Sequence, residues 1–114
     1  MIALANQTAF LFDTEDGSVR PVPYTGKFND LKELLGVKIV DIIRFDGEHI
    51  IFVDDEGFIN ETPKGFRITD KTGRQIEFAG NGLLTGDNYG NNAPVKLNLA
   101  DLKIEVIEIE YEKA

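Results

Sequence analysis

Val37-Lys38-Ile39-Val40-Asp41-Ile42-Ile43-Arg44-Phe45 runs into Asp46-Gly47 and, past Glu48-His49, into Ile50-Ile51-Phe52-Val53. Two runs of β-branched and aromatic residues around an Asp-Gly turn predict an antiparallel hairpin, because such side chains suit a half-buried pleated surface. The rhythm extends both ways. Upstream, Ala9-Phe10-Leu11-Phe12, the turn Glu15-Asp16-Gly17-Ser18 and Val19-Arg20-Pro21-Val22-Pro23-Tyr24 predict a second hairpin. Its later strand belongs on a sheet edge, since Pro21 and Pro23 have no N–H to give to a ladder. Downstream, residues 66–69 and 75–79 flank Lys71-Thr72-Gly73 as a third hairpin. Residues 82–86 predict a short strand before the Asn-rich loop 87–92, and 104–111 a closing strand. The apolar side of that last strand changes at Val106-Ile107, as a bulge or two covered faces would require.

One helix interrupts the strands. Phe28, Leu31, Leu34 and Leu35 recur at spacings of three and four and share a face, with Thr25 or Asn29 to cap the start and Gly36 to end it. A helix this short is unstable alone, so it must pack on a sheet. Asn98 can cap a single turn over 99–102, with Asp101 near the capping-box position. The expected fold is α+β: a predominantly antiparallel sheet of six or seven strands with one packed short helix near residues 26–35. No repeat, low-complexity tract or long linker divides the chain, so residues 1–114 are read as a single domain.

Composition narrows the chemistry. The 114 residues are 42% hydrophobic, enough for a real core. There is no cysteine, and only one His and one Ser. That excludes disulfide frameworks, thiolate zinc sites and cysteine nucleophiles, and leaves little for a Ser-His triad. No metal or cofactor is expected. No apolar stretch is long enough for a membrane helix, and no basic segment opens a signal peptide before Asn6. A cytoplasmic protein without a membrane partner is expected. The formal charge of −8 and pI near 4.5 argue against direct nucleic-acid binding, which rests on Lys and Arg. The charge is uneven: −1 over residues 1–40, −6 over 41–61, +2 over 62–100 and −3 over 101–114.

Gly80-Asn81-Gly82-Leu83-Leu84-Thr85-Gly86 superficially resembles a phosphate loop. No helix pattern follows it, and glycines at a bulge or close strand crossing explain it better. Asp87-Asn88-Tyr89-Gly90-Asn91-Asn92 offers oxygens that calcium accepts, but Tyr89 stands where a loop ligand is needed. An αL-rich turn is the favoured reading there, with an exposed small-molecule loop as the alternative. Asp54, Asp55 and Glu56 are adjacent carboxylates in a turn, read as solvated or as a protein-binding surface rather than as an acid–base pair. Glu108, Glu110 and Glu112 fall on one face opposite Ile107, Ile109 and Tyr111. They form either a charged edge or an acidic patch for a partner. His49 is read as an exposed hairpin residue. The basic residues Arg44, Lys64, Arg67, Lys71 and Arg74 are read first as partners for the acidic 41–61 block. If an anionic ligand binds, Arg67, Arg74, Asn81, Thr85 and Tyr89 are the residues expected to line its pocket.

From the helix onward the chain resembles a small family of phage- and plasmid-encoded accessory proteins, classed as a domain of unknown function. The residues that carry the resemblance are Leu31-Lys32-Glu33-Leu34-Leu35-Gly36, Ile39-Val40 and Ile43, then Ile51-Phe52-Val53-Asp54-Asp55-Glu56-Gly57. They continue with Ala79-Gly80-Asn81-Gly82-Leu83-Leu84-Thr85-Gly86-Asp87, residues 99–103 and the closing strand, roughly 28–107 in all. The resemblance implies a setting among genes that manage the host, anti-defence genes included, and carries over no catalytic residue.

The functional expectation is a non-enzymatic accessory protein that counters a host defence by stoichiometric inhibition of a host protein through an acidic surface. The alternative is a sponge that sequesters a small anionic nucleotide signal in a pocket, at the interface of a homo-oligomer. A small hydrolase using carboxylates is a weaker third reading.

Overall fold

The computed structural model describes residues 7–56 and 62–111. Within them the chain forms β1 (Gln7–Asp13), β2 (Ser18–Tyr24), α1 (Phe28–Leu35), β3 (Val40–Asp46), β4 (His49–Asp54) and β5 (Lys64–Thr69). It continues through β6 (Gln75–Ala79), β7 (Gly82–Asn88), β8 (Asn91–Ala93), a 3₁₀ turn at Leu99–Asp101 and β9 (Lys103–Glu108). The α+β class holds. The strands number nine among the described residues, and they divide into two sheets.

The larger sheet has the order β2-β1-β7-β4-β3, with β8 paired to the far end of β7. The smaller has the order β6-β5-β9, and every pairing is antiparallel. One face of the large sheet presents Phe12, Ile51 and Leu84 to Phe66, Ile68 and Phe78 of the small one. Aromatic rings meet edge to face there, Phe12 with Phe66 at 5.3 Å and 89°. The opposite face presents Ala9, Leu11 and Leu83 to Leu31 and Leu35 of α1, with Tyr24 alongside. The molecule is therefore three layers: helix, sheet, sheet.

The short strand expected at 82–86 is the centre of this arrangement. Every residue from Gly82 to Gly86 is buried, with Leu83 toward the helix and Leu84 toward the second sheet. A strand covered on both faces shows no alternation, so its length and centrality are hidden in the sequence. The glycines are there for close approach. A Cβ on Gly82 would lie 2.6 Å from the Phe78 ring, and one on Gly86 2.2 Å from the Pro94 carbonyl oxygen. Gly80–Gly86 is thus a turn into a strand, not a phosphate loop.

Local capping departs from expectation. Neither Thr25 nor Asn29 caps α1, whose first cap position is Lys27 with no side-chain bond. Instead Thr25 Oγ1 accepts the Lys27 N–H at 3.1 Å, while the Asp30 carboxylate accepts the Thr25 N–H at 3.0 Å. The reciprocal pairing of a capping box has moved two residues upstream, because Asp30 in the first turn reaches back. Gly36 ends the helix at φ 68°, as expected. Asn98 accepts the Ala100 N–H, as expected, but Asp101 pairs with Lys71 at 3.0 Å instead of completing a box.

The closing strand is shorter than the predicted 104–111 and carries no bulge. β9 pairs with β5 in unbroken register from Lys64 opposite Glu108 to Thr69 opposite Lys103. Ile104 and Val106 lie on the inner side, with Phe66 and Ile68 opposite them, and Ile107 lies on the outer side beside Gly65. The switch of apolar side comes from two partly covered faces. No helix among the described residues is long and apolar enough to cross a membrane.

Candidate functional site

β3 is an outer strand of the large sheet; Ile42 within it and Ile39 just before it stand 54% and 51% exposed, on opposite faces of the sheet by alternation. Four carboxylates lie along the same edge: Asp41 and Asp55, exposed, and Asp54 and Glu56, half-buried. Their positions are fixed locally. Asp41 Oδ1 accepts the Ile42 N–H at 2.8 Å, Asp54 Oδ1 accepts the Glu56 N–H at 2.9 Å, and the Asp55 N–H donates to the Ile39 carbonyl at 3.0 Å. Among the described residues none of the four forms an ion pair. Several carboxylates elsewhere are ion-paired, Asp13 with Arg20 at 3.0 Å, Asp87 with Arg44 at 2.8 Å, Glu77 with Arg67 at 2.5 Å and Glu48 with Lys96 at 3.7 Å. Of the basic residues expected to partner the 41–61 block, Arg67 and Lys71 do not do so among the described residues. Arg67 is taken by Glu77 and Glu105, and Lys71 by Asp101. Arg74 donates to the carbonyls of Phe45 and Arg44.

The second acidic candidate falls only partly within the described residues. Glu108 ends β9, Glu110 follows it in irregular chain, and Glu112 lies outside the described residues.

A different feature appears between two hairpin tips. The β3–β4 turn at Gly47-Glu48 and the β7–β8 turn at Tyr89-Gly90 bound an open hollow of about 890 Å³, whose lining includes Arg44, Glu48, Asp87, Tyr89 and Lys96. Its walls are braced against each other. The Asp87 N–H donates to the Glu48 carbonyl at 2.7 Å, and the Asp87 carboxylate accepts from the Gly90 N–H at 3.0 Å and from Arg44 at 2.8 Å. Asp87 is spent on these bonds and is a strut of the turn. Tyr89 is wholly exposed, with φ 52°, the left-handed backbone usual for Gly or Asn. Gly90 follows at φ 88°, so the expected αL-rich turn is present.

His49 overturns its reading as an exposed residue. It is 2% exposed, with Nδ1 2.8 Å from Asp46 Oδ1 and Nε2 accepting the Lys96 N–H at 2.9 Å. An acceptor at Nε2 places the ring hydrogen on Nδ1, donating to Asp46. Burial alone would raise the Asp46 carboxyl, but the Glu48 N–H and the His49 ring outweigh it and hold it below its ordinary value. Both ring nitrogens are committed, so this His has nothing to lend as a general base. Its role is to tie the segment after β8 to the β3–β4 hairpin. No group of three or more metal-ligating side chains gathers among the described residues.

The five residues expected to line one anion pocket are dispersed. Arg67 lies on the outer face of the small sheet, beside Glu77 and Glu105 in register. Arg74 braces the end of β3, and Asn81 accepts the Thr14 N–H and hydroxyl at 2.9 Å. Thr85 is buried in β7 and lines a small cleft with Tyr24 and Asn92, while Tyr89 lines the large hollow. Arg44 and Lys96 are the cations that line it. Lys96 drew no attention as a site residue because its contacts are 47 residues away in sequence.

The geometry defines a two-sheet α+β domain with an acidic margin that forms no ion pair among the described residues and a braced hollow between hairpin tips. The chain matches the model of a family described as a domain of unknown function (DUF3846) over residues 8–110, and it belongs to that family. The match takes in the first hairpin as well as the 28–107 stretch. No curated protein and no solved structure matches it significantly.

Proposed function

We propose that the protein acts by binding, without turnover, and that its acidic β3 margin docks on a basic surface of a partner protein. The setting proposed for it is that of a phage or mobile-element accessory protein inside the bacterial cell, where it counters a host defence by stoichiometric inhibition. One observation carries the reading. Asp41, Asp54, Asp55 and Glu56 form no ion pair among the described residues and lie along the β3 edge together with exposed Ile39 and Ile42, in the most acidic segment of the chain. Exposed apolar side chains set among charges suit a protein contact, and the charges give steering and choice of partner. The Asp41 and Asp54 carboxylates are held by bonds from backbone N–H groups, so little is lost in fixing these two on docking.

The test uses amides of the same shape: Asp41→Asn, Asp54→Asn, Asp55→Asn and Glu56→Gln together. Asn retains the oxygen that accepts the Ile42 and Glu56 N–H groups, so the fold is kept and the charge removed. Wild-type protein should retain a host protein at a one-to-one ratio and inhibit it in proportion. Binding should weaken as salt rises, and the four-amide variant should lose the partner while melting normally. A partner bound equally by the variant would overturn the reading, as would catalytic consumption of a substrate.

A further inference from the structure

We propose that the hollow between the β3–β4 and β7–β8 tips is a binding site for a small molecule of the mononucleotide kind, joining a planar aromatic ring to a phosphate-type anion. Three features assign it. The first is Tyr89, whose ring is fully exposed and lines the hollow from a backbone conformation that side chains other than Gly, Asn and Asp adopt at a cost. A turn needing only αL geometry would use Asn-Gly, and Asn is abundant in this loop; the tyrosine adds a stacking face that the turn itself does not need. The second is the pair of cations. Arg44 and Lys96 line the same hollow, with side chains 55% and 62% exposed, and Arg44 is held in place through Asp87 while keeping N–H groups to spare. The third is bracing. The Asp87 N–H to Glu48 and the Lys96 N–H to His49 lock both hairpins and the following segment together, so the backbone that carries the lining side chains is set before any ligand arrives.

The opposing charge is also defined. Glu48 lies 3.7 Å from Lys96 and is itself 62% exposed, so an arriving anion competes with that carboxylate for the ammonium. Removing the Glu48 charge should therefore tighten the site, a result that general loss of structure would not produce. The site shares no residue with the acidic β3 margin, and each proposal stands or falls on its own variants.

Adenosine 5′-monophosphate, adenosine and inorganic phosphate are the probes, each titrated at low salt with amide NMR shifts of Tyr89 and Lys96 as readout. The nucleotide should bind saturably and more tightly than either fragment. Tyr89→Ala should weaken it about tenfold, in the range of a lost base–aromatic stack, and leave phosphate unchanged. Lys96→Gln should weaken the nucleotide and phosphate but not adenosine, and Glu48→Gln should tighten both anions. Melting temperatures of all three variants check that the fold is retained. Nucleotide and phosphate binding equally, with Tyr89→Ala silent, would reduce the hollow to a nonspecific anion patch and overturn the proposal. Unmoved Tyr89 and Lys96 signals at millimolar nucleotide would overturn it as well.

Discussion

His49 shows how one side chain ties distant parts of a small sheet. Its ring accepts the N–H of Lys96 and donates to Asp46, joining the start of β4 to the segment that leaves β8. Replacing it with Phe keeps the volume but leaves a buried N–H without an acceptor, an expected loss of about 1–3 kcal/mol in chemical denaturation. Nitrogen NMR should show the tautomer with hydrogen on Nδ1; hydrogen on Nε2 would refute the bonding described. Asp46 adds a pH dependence of known sign. Its folded pKa lies below the unfolded value near 3.8, so its contribution is complete above that value and is lost as pH falls through the folded one. Asp46→Asn should remove that acid sensitivity below about pH 4 while retaining the oxygen that accepts from Glu48. None of this was legible beforehand. A His beside an Asp-Gly turn reads as exposed, and the backbone that covers it arrives from the far side of the chain.

Elements with one covered face were legible, and the element covered on both was not. The β1–β2, β3–β4 and β5–β6 hairpins and α1 follow from alternation, turn residues and a three–four spacing, all local signals. β7 carries no such signal, since its Leu83 and Leu84 bury on opposite sides and its glycines read as loop. Gly86 makes the point testable. Ala at this position would press its methyl onto the Ala93 and Pro94 carbonyl oxygens, at 2.5 and 2.2 Å, and push β8 away from β7. A destabilisation of about 1–3 kcal/mol is expected, with faster hydrogen exchange in β8 as the local sign. The β3 edge gives a second prediction. Residues 39 and 55 form a hydrogen-bonded position, so by alternation the Ile42 N–H faces outward, where the Asp41 carboxylate occupies it. Arg74 occupies the outward carbonyl of Arg44 in the same way. These two contacts blunt an edge flanked by exposed Ile42. Asp41→Ala frees the N–H and removes the charge, and should promote self-association that rises with protein concentration in sedimentation. A variant that stays monomeric would show that the edge needs no such guard.

At the scale of the whole molecule the formal charge of −8 is not spread evenly, and its most acidic segment, −6 over residues 41–61, contains the β3 margin. Like charges held close destabilise the compact state, and screening relieves them. A surface kept for a partner therefore costs stability in the free protein, as functional sites commonly do. Wild-type protein should then melt higher as ionic strength rises from about 0.01 M to 0.15 M, where the Debye length shortens from about 30 Å to 8 Å. The four-amide variant at Asp41, Asp54, Asp55 and Glu56 removes half of the formal charge while keeping the local acceptors. It should melt higher than wild type in low salt and gain less on adding salt. The two melting curves should converge near physiological ionic strength. A variant that melts lower at every salt concentration would mean that the carboxylates stabilise the fold. In that case the carboxylates along the β3 edge would be a structural device, and the docking role would lose its main support.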